Sequence, residues 1–123
     1  MATILVVDDK TENLELLSYL LGRPGYEVAT ALGGRKGLEV ARELIPDLIV
    51  IDLHMPGLDG WELARLIRDD EGLAKVRLLA VSVGPASNAR AREAGFDGFF
   101  PMPFEPGDLL GTVDALLNTD GDR

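Results

Sequence analysis

Asp47-Leu48-Ile49-Val50-Ile51-Asp52-Leu53-His54-Met55-Pro56-Gly57-Leu58-Asp59-Gly60 is the stretch whose reading decides the fold. Leu48 to Ile51 form an unbroken aliphatic run, β-branched in part, with no polar residue on either face. Such a run is what a central parallel strand looks like when helices cover both sides of the sheet. It ends in a carboxylate, Asp52, and then breaks at Met55-Pro56-Gly57, where proline fixes φ and glycine frees it. A charged residue directly after a buried strand lies at the carboxyl edge of a sheet, where open α/β folds place their ligands.

Two further apolar runs end in the same manner. Ile4-Leu5-Val6-Val7 is a first strand closed by the pair Asp8-Asp9, and Val76 to Ser82 is a strand closed by a hydroxyl. Between and around them the chain alternates strand and helix. Thr11 is expected to cap a helix running to about Leu21, with Leu14, Leu17 and Leu21 on one face. Tyr26 to Ala31 alternates weakly, as an edge strand does. Gly33-Gly34 opens a second helix in which Leu38, Ala41 and Leu44 or Ile45 are expected to face inward. Gly60 to about Asp70 is a third helix with the stripe Leu63, Leu66, Ile67, capped by Asp59. Pro85 and Ser87 lead into a short fourth helix ending before Gly95, and it carries no large apolar residue, so it can bury little area. Phe96 to Phe100 supplies the last strand, and Asp108 to about Leu117 the last helix, with Leu109, Val113 and Leu116 at helical spacing.

Five β-α repeats imply a doubly wound parallel sheet, and right-handed crossovers leave the order 2-1-3-4-5 as the natural candidate. Its switch point falls between strands 1 and 3, where Asp8, Asp9 and Asp52 lie, with Ser82 next along the edge. Three carboxylates in one crevice repel one another unless a cation is bound or a pKa rises. Oxygen-only donors suit a hard ion such as Mg²⁺, which also lets the crevice accept a phosphoryl donor. Asp52 is then a candidate nucleophile, since a carboxylate can form an acyl phosphate, and Ser82 offers a hydroxyl to a phosphoryl oxygen. Taken singly, Asp8 or Asp9 reads equally well as a helix cap, and Ser82 as a loop hydroxyl; the three strand ends together carry the signal.

The 123 residues are read as one domain, with a polar tail from about 118 to 123. No apolar run approaches the ~20 residues that span a bilayer, and the start has no basic region ahead of its apolar run, so it is a first strand and not a leader. The absence of cysteine fits the cytoplasm and leaves no thiolate metal site. A net charge of −9 argues against nucleic-acid binding through the surface. Arg90 and Arg92 read as solvated surface charge.

At these residues the chain resembles the receiver domains of two-component response regulators over nearly its full length. Val6-Val7-Asp8-Asp9 is similar to the family's acidic pair, and Asp52 to Gly60 to its phosphoacceptor loop. Ala80-Val81-Ser82 resembles the strand ending in Thr or Ser, and Gly95 to Phe104 the final strand and its turn. The resemblance implies a flavodoxin-like fold and phosphorylation of Asp52 by a histidine kinase or phosphotransfer protein. It also implies Mg²⁺ held by Asp8, Asp9, Asp52 and the backbone carbonyl of His54, Phe99 as an aromatic switch beside Ser82, and a cis Met102-Pro103 bond. Output would pass to a downstream protein through the face of the fourth helix, fifth strand and fifth helix. Any enzymatic activity would be no more than Mg²⁺-dependent self-phosphorylation and dephosphorylation at Asp52.

Met102 departs from the family, which places a lysine there to pair with the phosphoryl group. A charge-assisted hydrogen bond is worth roughly 1.5–3 kcal/mol, so its loss raises an alternative: a degenerate receiver acting as a phosphorylation-independent interaction module. Lys10, directly after the acidic pair, is the candidate replacement cation. Val83 is a second departure, bulkier than the family's small residue, and Gly84 and His54 occupy positions that tune dephosphorylation in the family. A flavin or nucleotide binder of the same sheet order would need a Ser/Thr/Gly-rich loop where Asp8-Asp9-Lys10 stands. No output domain follows the fifth helix, so the chain is expected to be either a stand-alone receiver or part of something longer.

Overall fold

A computed structural model describes residues 2–82 and 88–118. Among the described residues ten elements alternate: β1 (Thr3–Asp8), α1 (Thr11–Gly22), β2 (Glu27–Leu32), α2 (Gly34–Leu44), β3 (Leu48–Asp52), α3 (Gly60–Asp69), β4 (Arg77–Ser82), α4 (Asn88–Glu93), β5 (Gly98–Pro101) and α5 (Pro106–Asn118). The strands form one parallel sheet in the order β2-β1-β3-β4-β5.

Strand alternation divides the core in two. Leu5, Val7, Ile49, Ile51, Leu78 and Ala80 face a layer that includes Ala41 of α2, Leu63 and Ile67 of α3 and Ala91 of α4. Ile4, Val6, Leu48, Val50, Leu79 and Val81 face Leu14, Leu17 and Leu21 of α1 and Leu109 and Val113 of α5. Every residue of β3 is buried: the aliphatic run Leu48 to Ile51 is covered on both faces, and Asp52 ends it at 8% exposure.

Three expectations are corrected at element ends. Thr11 does not cap α1: Lys10 holds that position, and the carboxylate of Asp8 receives the Lys10 N–H at 2.9 Å. Leu44 and Ile45 do not face inward but are 40% and 59% exposed. The helix stops at Leu44 because Ile45 turns left-handed, with φ 46°, ahead of Pro46. The last strand starts at Gly98, since Phe96 is buried beneath α3 against Trp61 and the Asp97 carboxylate accepts from the Leu78 N–H. Asp59 caps α3 as expected, accepting from the Glu62 N–H at 2.9 Å. Val83, Gly84, Pro85, Ser87 and the tail beyond Asn118 lie outside the described residues.

The short α4 buries only Ala91 fully. Its neighbours compensate. Arg68, in the last turn of α3, donates to the carbonyls of Ala74, Val76 and Gly95 and to the Asp97 carboxylate, at 2.6 to 2.9 Å. The guanidinium fork thereby fastens α3 to the start of β4 and to the turn after α4.

Candidate functional site

Asp8 continues the register of Ile4 and Val6, and Asp52 that of Leu48 and Val50. Both carboxylates therefore leave the sheet on its α1 side, at the carboxyl edge, on adjacent strands. Asp9 follows in the turn into α1. One carboxylate oxygen from each of Asp8, Asp9 and Asp52 lies within 4.8 Å of the others. Backbone groups orient two of the three. Lys10 N–H donates to Asp8 Oδ1 at 2.9 Å, and His54 N–H to Asp52 Oδ1 at 3.1 Å. The Asn13 amide completes Asp8, donating to Oδ2 at 3.2 Å.

The cluster is short of positive charge. Asp8 is 1% exposed and Asp52 8%. Burial, reinforced by the charge of Asp8, pushes the Asp52 carboxyl up to about 7, against the pull of the His54 N–H. Burial also raises Asp8, opposed by its bonds from Lys10 and Asn13. Lys10 Nζ stands 3.7 Å from Asp9 Oδ1, with its side chain 61% exposed. Asp9 Oδ1 is itself buried and receives no hydrogen bond. A buried, unbonded carboxylate oxygen beside two others is an oxygen donor set that fits a hard divalent cation.

Sequence reading placed the remaining residues around this cluster. Ser82 is 1% exposed at the end of β4, one position past Val81, which pairs with Asp52 across β3 and β4. Phe99 lies half-buried on β5 opposite Ala80, a little below Ser82 on the sheet. His54 is exposed on the loop and meets the site through its backbone. Met102 packs into the apolar layer under α1 and α5, and its N–H donates to the Ser82 carbonyl at 2.8 Å. The Met102–Pro103 peptide is cis. Asn13 escaped the sequence reading, because an asparagine in the first turn of a helix carries no signal of what it faces.

Residues 4–114 match the family described as response regulator receiver domain. The chain belongs to the response regulator receiver family. Among curated relatives, the DNA-binding response regulator MtrA of Mycobacterium tuberculosis is 35% identical over 120 residues, covering 98% of this chain and 52% of that protein. The alkaline phosphatase synthesis transcriptional regulatory protein PhoP of Bacillus subtilis is 36% identical over 114 residues, 93% of this chain and 48% of that one. The receiver thus spans about half the length of the curated relatives it matches. Among solved structures, the chemotaxis protein CheY4 of Vibrio cholerae superposes with a TM-score of 0.88 at 30% identity, covering 94% of this chain and 98% of that one. A receiver domain of a Pseudomonas aeruginosa sensor histidine kinase, with a magnesium ion coordinated in its active-site cleft, gives 0.87 at 25% identity, over 96% and 98% of the two chains. The order β2-β1-β3-β4-β5 with five helices is the fold these receivers share. No helix among the described residues is long and apolar enough to cross a membrane.

Proposed function

We propose that this receiver domain accepts a phosphoryl group on Asp52 and signals by the rearrangement that follows. The observation that carries the reading is the convergence of Asp8, Asp9 and Asp52 at the switch point of the sheet. A carboxylate oxygen of Asp52 attacks phosphorus in a phosphohistidine of a histidine kinase or phosphotransfer protein. The oxygen–phosphorus bond forms, the phosphorus–nitrogen bond breaks, and the leaving imidazole takes up a proton. Asp8, Asp9, Asp52 and the His54 carbonyl would hold Mg²⁺, as the cleft of the Pseudomonas receiver does a magnesium ion. Bound there, the ion supplies the positive charge that lets a phosphoryl group approach three carboxylates.

This chain lacks a lysine at position 102, and Lys10, with Nζ 3.7 Å from Asp9 Oδ1, is the cation to take its part. Ser82 would donate its hydroxyl to a phosphoryl oxygen, with Phe99 moving beside it. The thinly packed α4, with β5 and α5, is the face that would present the change to a downstream protein. The DNA binding named for MtrA is not assigned to these residues, since a charge of −9 opposes phosphate contacts.

Intact mass after incubation with acetyl phosphate and Mg²⁺ tests the reading. The wild type should gain one phosphoryl group and Asp52→Asn none. Lys10→Ala should react several-fold to tenfold more slowly, in line with the loss of a partly solvated charge-assisted contact. No gain in a folded wild type would overturn phosphorylation in favour of the interaction module, and an unchanged Lys10→Ala would remove Lys10 from the site.

A further inference from the structure

We infer that Asn13 is a positioning residue that fixes Asp8 for divalent-cation binding, an inference that rests on the metal reading above. Asn13 stands at the third position of α1, where a side chain often turns back to satisfy the N–H of the capping residue. Here that N–H, from Lys10, is taken by Asp8 Oδ1 at 2.9 Å. The Asn13 amide turns back further and donates to Asp8 Oδ2 at 3.2 Å. Both oxygens of Asp8 are thereby bonded to the first turn of α1, and the carboxylate plane is set by a rigid element. Asn13 suits the task because an amide donates without adding a charge. A cation there would compete with the metal, and a carboxylate would repel Asp8.

Partners of this kind outside the ligand set typically contribute 10–100-fold to metal affinity. They matter most for Mg²⁺, which demands near-octahedral geometry, and less for Ca²⁺, which tolerates irregular sites. Loosening Asp8 should therefore change the ratio of the two affinities as well as weaken both.

Calorimetric titration of the whole chain with Mg²⁺ and with Ca²⁺ tests this, comparing wild type, Asn13→Ala, Asn13→Gln and Thr11→Ala. Asn13→Ala should raise the Mg²⁺ Kd about tenfold and the Ca²⁺ Kd by clearly less. Asn13→Gln, which keeps an amide donor, should fall between wild type and Asn13→Ala, and it carries the test if the alanine variant does not fold. Thr11→Ala, exposed in the same turn, should match the wild type. Equal affinities in Asn13→Ala and wild type, or equal losses for both ions with a lower melting temperature in chelator, would overturn the inference in favour of an ordinary structural hydrogen bond. A wild type that binds neither ion would overturn the metal reading and the inference with it.

Discussion

At the scale of single residues, the carboxyl of Asp52 has the largest consequence. Its pKa in the folded protein is about 7, against an ordinary value of 3.8. The unfolded chain therefore releases this proton first, and ionisation favours unfolding. The sign follows: without metal, Asp52's contribution is fully present below about pH 4, declines as the pH rises toward about 7, and levels off above. One pKa unit is worth ~1.4 kcal/mol, so the loss is on the order of 2–3 kcal/mol after allowance for coupling with Asp8. Chemical denaturation in chelator should show this decline between pH 5 and 7.5. In Asp52→Asn the decline should flatten, leaving the variant more stable than the wild type at pH 8. Parallel profiles would mean that Asp52 is ionised without cost. Met102 works at the same scale: its side chain belongs to the apolar layer under α1 and α5, so the position serves packing where a lysine would serve charge.

At the scale of elements, the loop from β3 to α3 is held by close approach. Gly60 donates its N–H to the Leu53 carbonyl, and a Cβ on Gly60 would overlap the Asp52 carbonyl oxygen and lie 2.7 Å from Leu53 Cα. These neighbours are backbone and cannot rotate away. Gly60→Ala gains at most ~1 kcal/mol of helix propensity, whereas forced overlap with backbone costs about 1–3 kcal/mol or more. The variant should be less stable by about 1–2 kcal/mol in urea denaturation, and an unchanged midpoint would show that the loop has slack. The fourth helix is the opposite case. Ala91 is its one fully buried residue, and it leans on Arg90 stacked 4.3 Å over the Trp61 ring and on the Arg68 fork at Gly95. Amides of residues 91–93 should exchange with deuterium well before those of α3 or the central strands. Equal protection would contradict the loose packing from which a switch there is argued. The thin fourth helix was legible in sequence, because Asn88 to Glu93 contains nothing large and apolar. The ends of α1 and α2 were not. Asp8 displaced Thr11 as the partner of the helix start, a contact set by tertiary placement, and Ile45 took a left-handed conformation that a β-branched residue rarely adopts.

For the whole molecule, the aliphatic runs at Ile4–Val7, Leu48–Ile51 and Leu78–Val81 sufficed to order the sheet, because only a strand covered on both faces tolerates so little polarity. With the order fixed, Asp8, Asp9 and Asp52 had to meet at the switch point, so the acidic cluster was legible as well. The Arg68 fork and the Asn13 bond to Asp8 were not legible, since both join residues whose proximity exists only after the layers pack. What the molecule does with its cluster is decided most directly by trapping. The protein is treated with acetyl phosphate and Mg²⁺, then with borohydride, which reduces an acyl phosphate to an alcohol, and the peptides are mapped by mass. The expected result is homoserine at Asp52 and at no other carboxylate, dependent on Mg²⁺ and absent from chelated samples. Unmodified Asp52 in a folded, Mg²⁺-saturated protein, or reduction at Asp8 or Asp9 instead, would contradict a phosphoacceptor at the end of β3.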